Sequence, residues 1–152
     1  MTRIRVFYES RQMECCGTPF AVGGEVAWKL VRYDAGALRA GEGYGAEAWV
    51  ENHGGPERAT SGRVRAVDLV RREYLAHREP LAAAPSAPGG SPVVLRGTGR
   101  ASRPAPGAPV LEPLDRCPRW FDGFEEEEQP PRRVPFRVRR AVGVLVDLEA
   151  AN

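Results

Sequence analysis

Two adjacent cysteines, Cys15 and Cys16, are the residues of this chain best suited to chemistry. Zinc and soft metal ions are held in proteins by thiolate sulfur and imidazole nitrogen, and His53 is one of 2 histidines in the chain. Neighbouring residues of a strand point to opposite faces, so both thiols reach one ion only where the backbone turns. Gly17 and Pro19 permit a turn directly after the pair. The sequence therefore predicts a candidate metal site, with zinc as the candidate ion, formed by Cys15, Cys16 and His53.

Two other interpretations of the cysteine pair stay open. Structural zinc sites usually use spaced pairs such as Cys-x-x-Cys, which this chain lacks, so one thiol can simply pack as a small hydrophobic group. A reactive thiol is the third interpretation, with His53 as its base and Glu14 or Glu51 orienting the ring. No nucleophile signature accompanies these residues, so the sequence favours a non-enzymatic protein. Cys117 and His77 are further candidate ligands.

The cysteine count and the hydropathy pattern predict the redox state and the compartment. An odd set of 3 cysteines does not suit a secreted disulfide scaffold. Neighbouring Cα atoms lie about 3.8 Å apart across a trans peptide, short of the roughly 4.4 Å at which ordinary disulfides begin. We therefore expect reduced thiols. With no apolar run of about 18 residues and no charged-then-apolar leader, we expect a cytoplasmic protein that does not contact a membrane.

An arginine-rich stretch raises the possibility of a nucleic-acid partner. Residues 132–140 carry five arginines, and Trp120, Phe121 and Phe124 precede them as candidate stacking groups. The acidic block at residues 125–128 lies beside these arginines, and the net charge of the chain is only +2. Mutual neutralisation on a solvated strand face is therefore favoured over binding of nucleic acid.

A second candidate site is an aromatic binding face. Trp28, Tyr44 and Trp49 are large side chains spread through the N-terminal third of the chain. On a small barrel such residues suit recognition of a protein or small-molecule partner, whose identity the sequence leaves open. The sequence thus favours a non-enzymatic binding module, with the thiol- or metal-centred protein as its alternative and a weak nucleic-acid binder as the third.

The elements that position these residues are mainly β-strands. Period-two alternation predicts strands at residues 2–8, 25–31 and 136–148, the last one bent at Gly143. Residues 63–70 predict a further strand with apolar residues on both faces, so either both faces are partly covered or a bulge intervenes. Residues 32–45 indicate a flexible connection, and residues 46–52 one or two helical turns. Residues 80–118 are rich in Pro, Ala, Gly and Ser, which predicts a flexible insertion. Together these patterns predict a single domain over residues 1–152, a small antiparallel barrel or sandwich of about five strands in which the first and last strands pair.

The cysteine pair also carries a family resemblance. The residues that carry it are Met13-Glu14-Cys15-Cys16-Gly17, Pro19-Phe20, Val22-Gly23, Trp28, His53-Gly54-Gly55 and Gly62-Arg63-Val64. With them the chain resembles an uncharacterised family of small actinobacterial proteins, a domain of unknown function, over residues 2–75. That resemblance implies no activity. The strand after Val22-Gly23 and the later Gly62-Arg63-Val64 are similar to the pattern of SH3-like barrels, with Gly24 where those barrels carry Asp.

Overall fold

The computed structural model describes residues 2–78, 83–84, 93–94, 100–129 and 135–151. Its strands are β1 (Thr2–Glu9), β2 (Glu25–Trp28), β3 (Leu30–Arg32), β4 (Ala48–Val50), β5 (Thr60–Arg78), β6 (Ala83–Ala84), β7 (Val93–Val94), β8 (Arg100–Pro104), β9 (Val110–Leu114), β10 (Glu126–Glu127) and β11 (Phe136–Ala150). The helices are α1 (Ser10–Cys16), α2 (Ala35–Ala40) and a 3₁₀ turn at Asp122–Phe124. The fold is mainly β, as predicted. Within the described ranges, no helix has the length and apolar character needed to cross a membrane.

The main sheet curls into a nearly closed barrel. Strand β1 pairs along its whole length with β11, antiparallel, from Thr2 opposite Ala150 to Glu9 opposite Gly143, which confirms the predicted pairing of the first and last strands. On its other edge β1 pairs with β4 in parallel, and β4 pairs with β3. Strand β5 lies between β11 and β2. Because only Lys29 separates β2 from β3, the chain leads directly from one edge of the sheet to the other.

The long strands β5 and β11 extend beyond the barrel. Along the outer edge of β5, β9 pairs with residues 67–71 and β8 pairs with residues 74–78. Both covering strands lie in the segment 80–118, for which the sequence predicts a flexible insertion. Residues 100–104 and 110–114 of that segment are hydrogen-bonded to β5 as strands. Residues 79–82, 85–92 and 95–99 lie outside the described residues, so the flexible insertion stays a prediction.

The core is formed by alternate residues of the barrel strands. Val6 and Tyr8 of β1, Val64 of β5, and Val146 and Leu148 of β11 are all almost completely buried. Each fully buried aliphatic side chain of this kind contributes about 1.5–3 kcal/mol relative to an exposed one. The alternation read from the sequence thus indicates the residues that face the barrel interior, while Phe7, Val70 and Leu145 are buried in a second, separate cluster.

Two local predictions are wrong. The segment 46–52, predicted as helical turns, contains strand β4, because Ala48 and Val50 are buried and the strand is paired on both edges. The connection 32–45, predicted as flexible, contains helix α2, whose first turn is capped by the Asp34 carboxylate accepting from the Ala37 N–H. Both elements are too short for periodicity to reveal them.

Candidate thiol and metal site

The topology brings the cysteine pair and His53 to one end of the barrel. Helix α1 follows β1, and the loop carrying His53 follows β4. Because β1 and β4 are parallel, with Val6 opposite Ala48, their C-terminal ends emerge on the same side. The residues at these two ends therefore meet, although 37 and 38 positions separate the cysteines from His53.

At this end, two sulfurs and one imidazole converge. The Nε2 atom of His53 lies 2.9 Å from Cys15 Sγ and 3.7 Å from Cys16 Sγ, and Nδ1 lies 3.9 Å from Cys16 Sγ. All three side chains are exposed, and their candidate ligand atoms lie within 4.8 Å of one another. The structure thus brings together the three residues that the sequence predicts as metal ligands. Whether they bind a metal stays a prediction.

Cys15 and Cys16 are joined by a disulfide bond, which corrects the expectation of reduced thiols. The Cα atoms are 3.8 Å apart, as across any trans peptide. Both residues lie in the last turn of α1 rather than on a strand. Successive side chains diverge by about 100° on a helix and by about 180° on a strand, so the two sulfurs can meet here.

A polar network fixes the His53 loop to helix α1. The Asn52 side-chain amide donates to the Tyr8 hydroxyl at 2.9 Å and to the Gln12 carbonyl oxygen at 3.0 Å, while the Asn52 N–H donates to Gln12 Oε1 at 2.9 Å. The Glu51 carboxylate accepts from the His53 N–H at 3.0 Å and from Gln12 Nε2 at 3.2 Å. Sequence reasoning missed Gln12, Asn52 and Tyr8, because no motif or spacing marks residues that act by holding a loop.

The contacts and burial in this network shift the pKa values of two of its groups, Glu51 and Tyr8. The His53 N–H, and then the Gln12 side chain, lower the pKa of the Glu51 carboxyl from its ordinary value. Burial raises the pKa of the Tyr8 hydroxyl, against the opposing hydrogen bond from Asn52. Glu51 is therefore ionised at neutral pH and accepts both hydrogen bonds as a carboxylate.

The Glu51 contacts predict a pH-dependent loop. Because the folded-state pKa of Glu51 is lowered, its stabilising contribution is complete above the ordinary carboxyl pKa of 4.5 and is lost as the pH falls through the lower folded value. We expect Glu51→Ala to speed hydrogen exchange of the His53 amide by about 5- to 10-fold at neutral pH. Nuclear magnetic resonance measures this rate. Glu57→Ala, a change of the same type at an exposed position nearby, is the matched control. An unchanged rate in Glu51→Ala would show that the carboxylate does not hold the loop.

Comparison with known proteins gives the chain a family. A family model described as a family of unknown function, DUF6578, matches residues 2–150. The chain belongs to DUF6578. No curated protein and no solved structure matches it. The membership confirms a domain of unknown function, as the Cys-Cys-Gly resemblance implied, and it assigns no activity to the site.

The two further candidate ligands of this DUF6578 chain lie elsewhere. Cys117 is a free cysteine with 1% of its surface exposed, and burial raises the pKa of its thiol to about 12. Its N–H donates to the Phe20 carbonyl oxygen. His77 lies on β5, opposite Ala101 of β8. Neither residue joins the group that Cys15, Cys16 and His53 form among the described residues.

The predicted aromatic face is divided among different packing clusters. Trp28 has 8% of its surface exposed and packs with Tyr8 and Phe20 in the main core. Tyr44 packs edge-on against Phe7, with ring centroids 5.1 Å apart. Trp49 lies against Tyr33, at 4.7 Å between ring centroids. A shared binding face of Trp28, Tyr44 and Trp49 stays a prediction.

The arginine-rich stretch is paired with acidic side chains over its described part. Three ion pairs carry this neutralisation: Arg137 with Glu73 at 3.1 Å, Arg139 with Glu126 at 4.0 Å, and Arg140 with Glu125 at 3.4 Å. Residues 130–134 lie outside the described residues. These pairs agree with the mutual neutralisation that the sequence favours over nucleic-acid binding.

Proposed function

We propose that this chain is a non-enzymatic, thiol-centred protein that binds one soft or borderline metal ion, copper(I) or zinc, through Cys15, Cys16 and His53. The observation that carries the proposal is the approach of both sulfurs to the His53 ring within 3.9 Å. Residues so far apart in the chain meet there because parallel pairing of β1 and β4 brings them together.

The donor set suits these ions. Thiolate selects copper(I) and zinc, and imidazole is a ligand that both accept. Zinc prefers four ligands, so its fourth position here is available to water or to a small ligand, since the three side chains are exposed. Binding needs thiolates, so the disulfide must first be reduced. Metal binding by this chain is therefore coupled to its redox state.

A binding module built on Trp28, Tyr44 and Trp49 has less support. Only 8% of the Trp28 surface is exposed, and its ring already packs against the rings of Tyr8 and Phe20. A partner that contacts all three aromatic side chains has little of Trp28 to touch. The contacts of the cysteine pair therefore favour the metal-centred function.

A cytoplasmic location is part of the same proposal. The cytoplasm keeps most thiols reduced, which is the state in which Cys15 and Cys16 can ligate a metal. An actinobacterial source and an SH3-like strand arrangement stay predictions that rest on the sequence pattern alone.

A metal titration of the two redox states tests the proposal. The protein is reduced with a phosphine, which is not itself a thiol, and titrated with copper(I) against a chromophoric chelator, and separately with zinc. We expect the reduced protein to retain one equivalent of metal. The same chain oxidised to the Cys15–Cys16 disulfide is the matched control and should retain none. Equal retention by both states, or no retention by the reduced protein, would rule out the cysteine pair as a metal site.

A further inference from the structure

A cavity of about 350 Å³ opens beside the cysteine pair. Cys16 lines this cavity and Cys15 does not. Tyr8, Phe20 and Trp28 are among its lining residues, with ring centroids 4.8 to 5.9 Å apart, and 2% of Tyr8 and 8% of Trp28 is exposed. The volume lies near the lower end of the range for small-molecule sites, about 300–1,000 Å³. The cavity therefore suits a small organic molecule rather than a folded partner.

The two sulfurs of the disulfide have different neighbours. Cys16 belongs to the residues that line the cavity, and its Sγ lies 3.7 Å from His53 Nε2. Cys15 Sγ lies closer to the same atom, at 2.9 Å. In thiol–disulfide exchange, one sulfur is attacked and the other leaves as a thiolate. A molecule that enters the cavity meets Cys16, and the sulfur that would leave, Cys15 Sγ, is the one nearest to the His53 ring. The surroundings thus assign one role to each sulfur.

We propose that the cavity admits a small organic thiol, which reduces the Cys15–Cys16 disulfide by attacking Cys16. The thiol loses its proton to solvent, its sulfur bonds to Cys16 Sγ, and the bond between the cysteines breaks. The electron pair of that bond passes to Cys15 Sγ, which takes up a proton from solvent. A second molecule of the thiol then attacks the bound one, giving the small disulfide and a free Cys16 thiol. Two small thiols are oxidised and one protein disulfide is reduced.

This reaction uses the cysteine pair of the proposed metal site but requires no bound metal. Its product is the dithiol, which is the form able to ligate an ion. The more reduced the small thiols around the protein are, the larger the fraction of the chain that would carry the dithiol able to bind metal. Metal retention and thiol exchange are measured separately, so the failure of one proposal leaves the other testable.

Trapping of the mixed disulfide with glutathione tests the assignment. Oxidised wild-type protein is mixed briefly with reduced glutathione, quenched with acid and alkylated, and the adduct is located by fragmentation mass spectrometry. We expect glutathione on Cys16 and the alkyl group on Cys15. In the variants that keep one thiol of the pair beside the buried Cys117, oxidised glutathione should modify Cys16 of Cys15→Ser at least about tenfold faster than Cys15 of Cys16→Ser, since exchange depends on access and only Cys16 lines the cavity.

A cavity-filling variant provides the second measurement. Ala27 is exposed and lines the cavity, so Ala27→Phe should slow glutathione addition at Cys16 by about tenfold while leaving retention of metal by the reduced protein unchanged. Adducts shared equally between the cysteines, or found mainly on Cys15, would overturn the proposal. An undiminished rate at Cys16 in a folded Ala27→Phe protein would overturn the role of the cavity.

Discussion

Replacing His53 with alanine is expected to abolish most of the metal affinity of the reduced protein. The ring contributes one of three donors, and its nitrogens approach both sulfurs within 3.9 Å. Loss of a residue that only supports a ligand costs about 10- to 100-fold in affinity, so removal of a ligand itself should cost about 100-fold or more. Cys15→Ala and Cys16→Ala should have effects of the same size. Competition with a chromophoric copper(I) chelator measures these affinities.

The chain offers a matched control for the histidine variant. His77 is its other histidine, is exposed, and lies on β5 outside the candidate ligand group. His77→Ala should bind metal as the wild type does. If the His53→Ala and His77→Ala proteins bind equally well, the His53 ring is not a ligand and the proposed site reduces to the cysteine pair.

Replacing Gly143 with alanine is expected to destabilise the fold by about 3 kcal/mol or more, from strained backbone and steric overlap together. Gly143 has a φ of +156°, and a Cβ placed on it would lie 2.3 Å from the Tyr8 carbonyl oxygen and 3.0 Å from Glu9 Cα. Both neighbours are backbone atoms of β1, so no side-chain rotation relieves the overlap. Urea unfolding followed by circular dichroism measures the loss.

A matched variant at Gly107 distinguishes the effect of backbone strain from that of steric overlap. Gly107 also has a positive φ, +126°, but a Cβ there would meet nothing within 4 Å. Gly107→Ala should therefore cost only the backbone strain, about 1 kcal/mol. Equal losses for Gly143→Ala and Gly107→Ala would show that the close approach of β1 to β11 is not what requires glycine at position 143.

The position of Gly143 also links the stability of the barrel to the site. The ladder of β11 with β5 shifts register between Ala141 and Gly143, as at a bulge, at the position where the sequence predicts a bend; the bend itself stays a prediction. On its other edge Gly143 lies opposite Glu9, the last residue before helix α1. The glycine thus lets the end of β1 approach β11 at the point where the cysteine-bearing helix begins.

Much of the barrel could be predicted from the sequence because long strands carry a regular signal. Alternation over β1 and β11 reports which side chains face the core, and the near-complete burial of Val6, Val146 and Leu148 follows that pattern. Strand β5 is less regular, since its pairing with β11 shifts register beside Arg65. The strand could still be predicted there because apolar residues mark both of its faces, and the register shift agrees with the bulge that the sequence left open.

Residue type alone singled out Cys15, Cys16 and His53, since sulfur and imidazole have few equivalents among side chains. Their meeting was decided by the tertiary structure. It depends on the parallel pairing of β1 with β4, a strand of three residues with too few positions to show a period. The disulfide likewise depends on the short helix α1, which turns successive side chains closer together than a strand does. Chemical identity is a property of each residue, whereas distance between residues far apart in the chain is set by the whole sheet.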